Sequence, residues 1–303
     1  MLRASRAGLL WVAPCALALA QPAPPLPRLM TAAGLQALPV ARPAEVLAYG
    51  DAPAQRIEIF LPPARTEGQR LPVVVALDGN CWRAGADGLG RLRPAATALA
   101  ERGIAVWAVG YRGIGDEGGG HPGTYADVAA ALDRLADEAE ARGLDPRRVV
   151  LLGHGTGGHL ALWAALRHRI PRASPLAPAR PPLRARGVVL AGALADIERE
   201  APLIRARCGF EAGERLADPA ARAPFADVSP VALLPIGAPV AIHLGVYDGF
   251  ATPETGLALA QAIRRGGDAA ELALAPNAGA YELIAPGTRA FEPVMAAIER
   301  FLR

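Results

Sequence analysis

The sequence predicts an α/β fold with a mostly parallel β-sheet and helices on both faces. From Arg56 onward, short runs rich in Val, Ile and Leu alternate with longer Ala- and Leu-rich stretches of helical spacing, which is the pattern of repeated βαβ units. Most of the short runs are apolar throughout, as strands buried on both faces are. At 303 residues and 52% hydrophobic composition, the chain is long enough to form a large core in one domain.

The expected elements follow one another in a regular order. The runs predicted to be strands are RIEIFLP, LPVVVAL, IAVWAVG, DPRRVVLLG, RGVVLAG, PVAIHLG and AELALA. RIEIFLP alternates like an edge strand. The stretches predicted to be helices are RPAATALAERG, TYADVAAALDRLADEAEARG, GGHLALWAALRHR, ETGLALAQAIRRGG and AFEPVMAAIERFLR. Residues 194–236 are less regular, and we expect a small cap-like insertion there, at the carboxyl ends of the strands, where open α/β sheets bind ligands.

The N-terminus has the pattern of a secretory signal. Basic MLRASR is followed by apolar AGLLWVAPCALALA, which ends in an A-x-A sequence. We therefore expect a signal peptide over 1–20, an N-terminal extension over 21–50 and a single domain over 51–303. Such a protein would be secreted or periplasmic, without a stable membrane span after cleavage, because the apolar run is short. The alternative is an Ala-rich leader whose true start is Met30.

Composition narrows the classes of ligand. All 32 basic residues are arginine and the net charge is +3. Since the arginines are interspersed with acidic residues, we expect no nucleic-acid binding. No cofactor motif is visible, and His154 and His159 have no third ligand pattern beside them, so we expect no metal site. In an oxidising compartment Cys81 and Cys208 would be free to pair, but sequence alone leaves that open.

The stretch LLGHGTGGHLALW has the spacing of a nucleophile elbow. In such an elbow a small residue stands two positions before the nucleophile and another two positions after it. Here Gly153 and Gly157 are the small residues, a buried strand precedes them and a helix follows. The nucleophile position holds Gly155, which has no side chain.

With the motifs around it, this region resembles α/β-hydrolases of the feruloyl-esterase-like and kynurenine-formamidase-like kind. Those proteins typically carry H-G-G-x-W after the third strand, G-H-S-A-G-G-H-L-A at the elbow, and G-x-x-D and G-H near the end. The corresponding positions run from about Asp51 to the C-terminus. The resemblance implies an α/β-hydrolase fold with an eight-stranded, mostly parallel sheet, and an ancestor that acted on carboxylic esters or formamides.

The catalytic motifs of that family are only partly present. The oxyanion-loop motif is represented by Asp78, Gly79, Asn80, Cys81 and Trp82. The triad acid is retained at Asp248, whereas Gly155 replaces the nucleophilic Ser and Ala280 replaces the catalytic His. Acyl transfer in this fold needs a nucleophilic oxygen, a base and N–H donors for the oxyanion. An unscreened charge on Asp78 would oppose that oxyanion.

Few other residues are candidates to replace the lost groups. Thr156 is the nearest hydroxyl, but the residue after a nucleophile contributes its N–H and turns its side chain away. Cys81 is of a reactive type, yet beside Trp82 a packing role is favoured. His121 is an alternative base. All five histidines precede Asp248, so the family's order of nucleophile, acid and base is not completed.

Three hypotheses about function follow. The first is a non-catalytic pseudo-hydrolase whose pocket binds a small ester-like, amide-like or aromatic ligand, or a protein partner. The second is an active ester or amide hydrolase in which Asp78 and Asp248 activate a water molecule, which requires both to face one cavity. The third is a purely structural role, favoured if bulky side chains such as Tyr281 fill the cleft.

Overall fold

The computed structural model describes residues 27–66, 68–83 and 87–303, so the expected signal peptide, 1–20, lies outside the described residues. Its eight strands are β1 (Glu45–Ala48), β2 (Arg56–Phe60), β3 (Leu71–Asp78), β4 (Ala105–Val109), β5 (Leu144–His154), β6 (Gly187–Ala191), β7 (Val240–Gly245) and β8 (Ala270–Ala275). They form one sheet in the order β1-β2-β4-β3-β5-β6-β7-β8. The β1–β2 and β2–β4 pairs are antiparallel and the other pairs are parallel. The predicted eight-stranded, mostly parallel sheet is therefore confirmed.

Eight α-helices accompany the strands: α1 (Ala32–Gln36), α2 (Asp87–Glu101), α3 (Gly123–Glu138), α4 (Gly157–Ala165), α5 (Ala201–Cys208), α6 (Ala212–Arg215), α7 (Pro253–Arg265) and α8 (Phe291–Leu302). Short 3₁₀ helices lie at Arg167–Arg169, Pro230–Leu233 and Tyr281–Ile284. No helix in the described ranges is long and apolar enough to cross a bilayer.

Two hydrophobic layers cover the two faces of the sheet. Along β3, Val73, Val75 and Leu77 pack in the layer of α3, α4 and α7. The alternate residues Val74 and Ala76 pack in the layer of α2 and α8. Successive side chains of a strand point to opposite faces of the sheet. Because both faces are covered by helices, the central strands are apolar throughout.

The prediction that RIEIFLP is an edge strand is wrong. β2 is second from the edge, because β1 pairs with it over Glu45–Ala48. The polar residue that suggested an edge is Glu58, which is only 2% exposed. Its carboxylate accepts hydrogen bonds of 2.9 and 2.7 Å from Arg93. A buried ion pair therefore produced an alternation that normally indicates a solvent-facing side.

The stretch between β6 and β7 contains α5, α6 and one 3₁₀ helix. Hydrogen bonds and one disulfide connect it to the rest of the domain. The Tyr125 hydroxyl donates to the carbonyl of Leu216 at 2.8 Å, and the Trp163 indole donates to the carbonyl of Asp227 at 2.9 Å. Cys208, at the end of α5, forms a disulfide with Cys81 in the loop after β3. The structure thus pairs the two cysteines whose pairing the sequence left open.

Removing this disulfide is expected to lower stability. It joins residues 127 positions apart, so it restricts the unfolded chain strongly, an effect typically of about 2–4 kcal/mol. Urea unfolding of a Cys81→Ser/Cys208→Ser variant should show that loss against the wild type. Dithiothreitol should lower the wild-type midpoint similarly and leave the variant unchanged. A midpoint insensitive to both treatments would contradict the covalent link.

Candidate active site

The turn between β5 and α4 has the conformation of a nucleophile elbow. β5 ends at His154 and α4 begins at Gly157. Between them Gly155 has a φ of 55°, the left-handed conformation in which an elbow holds its nucleophile. A Cβ atom placed on Gly155 would have no neighbour within 4 Å. The place that a nucleophilic side chain would occupy is therefore open.

The flanking glycines are needed for close packing. A Cβ on Gly153 would lie 2.4 Å from the Cα of Gly158, and a Cβ on Gly157 would lie 2.4 Å from the carbonyl oxygen of Leu77. Both distances are far below van der Waals contact with backbone atoms, which cannot move aside. Helix α4 thus returns directly over β3 and β5.

Asp248 follows β7 and keeps one oxygen without a partner. Its Oδ1 accepts from the backbone N–H groups of Phe250 at 2.8 Å and Ala251 at 3.1 Å. Its Oδ2 is buried and has no hydrogen-bond partner among the described residues. Burial is the main cause that raises the pKa of Asp248. A buried carboxylate oxygen without a donor is costly.

Ala280 lies beside that unpartnered oxygen. A Cβ atom built on Gly192 would be 2.8 Å from Asp248 Oδ2 and 3.4 Å from the Cβ of Ala280, so the two groups border the same small space. The methyl side chain of Ala280 has no hydrogen-bond donor to offer this carboxylate.

Asp78, at the end of β3, is held by Arg91 and His154. Arg91 Nε donates to Asp78 Oδ2 at 2.6 Å, and Arg91 Nη2 donates to the carbonyl of Gly79 at 3.0 Å. His154 Nδ1 lies 2.6 Å from Asp78 Oδ1. The carboxylate is 1% exposed. Both oxygens are therefore engaged, and the Arg91 guanidinium compensates the Asp78 charge.

His154 links Asp78 to the segment that carries Ala280. Its Nε2 lies 3.3 Å from the carbonyl oxygen of Ala280, and its ring is 5.8 Å from the ring of Tyr281. His154 thus lies between the Asp78 carboxylate and the Ala280 carbonyl, both of which accept hydrogen bonds.

Comparisons with known proteins agree with this architecture. Solved structures that this chain resembles include a thermophilic esterase of Thermogutta terrifontis with propionate bound, at 24% identity and a TM-score of 0.65 over 86% of this chain and 93% of that one. An acetyl ester-xyloside bifunctional hydrolase of Caldicellulosiruptor lactoaceticus matches at 16% identity and a TM-score of 0.66, over 86% and 96% of the two chains. This chain has the α/β-hydrolase fold.

Sequence comparisons indicate that this α/β-hydrolase-fold chain is esterase-like. The BD-FAE family model matches residues 57–174. Isoprenylcysteine alpha-carbonyl methylesterase ICME of Arabidopsis thaliana is 32% identical over 120 residues, 40% of this chain. Probable isoprenylcysteine alpha-carbonyl methylesterase ICMEL1 of Oryza sativa subsp. japonica is 32% identical over 127 residues. The matched region spans 27% of each of these two curated relatives.

The oxyanion loop of the fold is fixed by side chains of α4. Trp82 N donates to Thr156 Oγ1 at 3.3 Å, so the Thr156 side chain faces this loop. The Trp82 indole donates to His159 Nδ1 at 3.1 Å, and His159 Nε2 donates to the Val228 carbonyl at 2.8 Å. Burial lowers the pKa of His159 to about 4, so this imidazole is neutral and serves as a bridge.

The remaining candidates lie outside the turn or are chemically blocked. Cys81 is bonded to Cys208 and presents no thiol. His121 Nε2 lies 3.5 Å from Asp227 Oδ2, which also accepts from Ser174 Oγ at 2.5 Å. Neither the Cys81 side chain nor the His121 side chain hydrogen-bonds to residues 153–157 in the described structure. Among the described side chains, no group of three or more His, Cys, Asp or Glu is placed to hold a metal ion.

Asp248 is not among the residues that line the cavity beside the predicted oxyanion loop. That cavity has a volume of about 220 Å³ and is lined by Asp78, Asn80, Arg91 and Tyr111, among others. It therefore gives no support to joint activation of water by Asp78 and Asp248. Sequence reasoning missed Arg91 and Tyr111, whose hydroxyl donates to the Asp78 carbonyl at 2.6 Å, because no local spacing rule links them to Asp78.

Substitutions of two elbow glycines should distinguish the free-energy cost of close packing from the cost of a left-handed backbone conformation. Gly155→Ala meets open space and only the strain of a left-handed backbone, about 1–2 kcal/mol. Gly157→Ala places a methyl group against the Leu77 carbonyl and is expected to cost about 3 kcal/mol or more, as overpacking can. Denaturant unfolding measures both free energies. Equal losses would contradict the packing explanation.

Replacing Asp248 with Asn is expected to stabilise the protein at pH 7. The folded-state pKa of Asp248 is raised, so its charge destabilises the fold above the unfolded pKa of about 3.9. The Asn variant keeps an Oδ1 acceptor, and a gain of roughly 1 kcal/mol is expected. Calorimetry should show a higher Tm at pH 7 and convergence with the wild type near pH 3.

Asp145 provides the matched control for that measurement. Burial by itself would raise the pKa of Asp145. Hydrogen bonds from the Arg148 side chain and the Arg147 backbone outweigh burial, so the pKa is lowered. Asp145→Asn should therefore lower the Tm slightly at pH 7, the opposite sign. A destabilised Asp248→Asn variant would show that Oδ2 has a donor in solution.

Proposed function

We propose that this esterase-like protein no longer catalyses Ser-His-Asp hydrolysis and that a cavity beside its predicted oxyanion loop binds a small ligand. The observation that carries the proposal is the unpartnered Oδ2 of Asp248 beside Ala280, together with the empty nucleophile position at Gly155. The acid of the triad is retained, while both groups that it would serve are absent.

Neighbouring groups do not replace the lost chemistry. Thr156 Oγ1 is turned toward Trp82, and Cys81 is consumed in a disulfide. The ring nitrogens of His154 are already in contact with Asp78 and with the Ala280 carbonyl. A nucleophile needs an adjacent base or a lowered pKa to react, and neither condition is met around this turn.

The cavity against the oxyanion loop is the proposed ligand site. Its volume is about 220 Å³, and its lining includes the donor side chains Asn80, Arg83 and Arg91 beside apolar Leu89 and Val109. Donors next to apolar surface suit a small ester-like, amide-like or aromatic molecule that presents a carbonyl oxygen. A protein partner has no comparable support at this position.

We also propose that the protein is exported and works in a secreted or periplasmic setting. The Cys81–Cys208 disulfide supports this, because structural disulfides persist in oxidising compartments and are rare in the cytosol. Thiol labelling of the protein taken from the periplasm and from the cytoplasm of an expression host tests it. Blocked cysteines are expected in the periplasmic fraction.

Hydrolysis of p-nitrophenyl acetate tests the loss of catalysis. The wild type should match a heat-denatured control, and paraoxon should add no mass to it. The Thermogutta terrifontis structure phosphorylated by paraoxon shows that a protein of this fold reacts with that reagent. Wild-type turnover that persists through further purification would refute the proposal.

A restored site provides the positive control. Gly155→Ser/Ala280→His adds the two missing groups while leaving the Asp78–Arg91 pair intact. This variant should hydrolyse the ester at least about tenfold faster than the wild type, a small part of what a triad supplies, and react with paraoxon at Ser. Adding Asp248→Asn should remove most of the gain, since the new imidazole loses its orienting carboxylate.

The contact between Asp78 and His154 favours a second candidate, a hydrolase that activates water through this pair. A carboxylate that orients an imidazole is a common arrangement for a general base. In that case the wild type would be active, and His154→Gln would abolish the activity while Ala280→Ser would not. Hydrolytic activity that survives in the His154→Gln variant would exclude this second candidate.

A further inference from the structure

A second cavity lies at the β8 edge of the sheet, away from the elbow. Its volume is about 400 Å³, and it is bounded by β8 and by the segment from 276 to 293 that leads into α8. Most of its lining is apolar, including Ala273, Ala275, Ala278, Leu283, Ala290 and Pro293. Neither Gly155 nor Asp248 lines it, so it is distinct from the candidate active site.

The notable polar group in the wall of this cavity is His243. The residue lies on β7 opposite Ala273 of β8 and is 5% exposed. Its Nε2 is buried without a partner, and neither ring nitrogen hydrogen-bonds to another described residue. Because buried polar groups in folded proteins are nearly always paired, an unpartnered imidazole is unusual, and this one borders the cavity.

Several other polar groups in or near the cavity wall are already engaged. Glu282 accepts from the backbone N–H of Met30 through Oε1 and from that of Gly279 through Oε2. Arg300 and Glu271, the charged groups that act on His243 from α8 and β8, are paired with each other. Asn277, Thr288 and Arg289 also line the cavity, and Arg289 is exposed. His243 is the buried side chain of this lining that has a nitrogen without a partner.

The charge state of His243 determines which ligand group fits. Burial lowers its pKa to about 4, so the ring is neutral near pH 7, with one nitrogen donating and the other accepting. A hydroxyl group both donates and accepts, so it satisfies either nitrogen.

We propose that the β8-edge cavity binds an apolar molecule with a single hydroxyl group, such as a phenol, whose hydroxyl hydrogen-bonds to His243. The ring would lie against the alanine, leucine and proline side chains, and burial of that apolar surface would supply most of the affinity. This site is separate from the proposed function and does not depend on whether the elbow is catalytic.

A pair of probes tests the proposal on the wild-type protein. 4-Propylphenol and propylbenzene differ only in the hydroxyl, and one hydrogen bond to a buried imidazole should make the phenol bind about tenfold more tightly. Titration of protein labelled with ¹⁵N-histidine should shift the ring signals of His243 and leave those of His121, His154, His159 and His168 in place.

Variants assign the effect to the imidazole. His243→Leu should bind both probes equally, so the tenfold preference is lost, whereas His168→Leu, a histidine outside this cavity, should keep it. If His243→Leu does not fold, the wild-type preference and the ¹⁵N shifts decide alone. Equal affinity of the two probes, shifts at other histidines without one at His243, or no saturable binding would each overturn the proposal.

Discussion

The close return of α4 over the sheet is the constraint on which the site depends. A Cβ on Gly158 would lie 2.1 Å from the Cβ of Ala193, and one on Gly157 would meet the backbone of β3. This packing sets the sharp turn and the left-handed Gly155 whether or not a nucleophile is present. The glycine pattern of an elbow therefore reflects close packing of the backbone. Catalysis requires reactive side chains in addition to this pattern.

The oxyanion loop is positioned by a second set of contacts that is independent of chemistry. Trp82 reaches His159 on α4, and His159 reaches Val228 in the stretch between β6 and β7. The Cys81–Cys208 disulfide joins the same two segments covalently. A neutral histidine with two satisfied nitrogens is a rigid spacer in the core. The loop is thus held in place by contacts within the protein itself.

The central strands and the elbow could be predicted because their signals are local. Strands buried on both faces are continuous apolar runs, and the elbow has a fixed five-residue spacing. β1 was missed because three of its four residues are exposed, and β2 was misplaced because Glu58 is buried by pairing with Arg93. The disulfide and the His154–Ala280 contact join residues 127 and 126 positions apart, so only the folded topology brings them together.

The contacts of Asp78 constrain the surroundings of the elbow. Arg91 and His154 both contact the buried Asp78 carboxylate. Breaking a buried pair by removing one partner typically costs about 3–5 kcal/mol, which makes the Arg91–Asp78–His154 array a fixed part of the fold. His154 is thereby held between Asp78 and the Ala280 carbonyl. A hydroxyl at position 155 needs an oriented base beside it to act as a nucleophile, and the methyl group of Ala280 supplies none, so a Ser at position 155 alone would not complete a Ser-His-Asp triad.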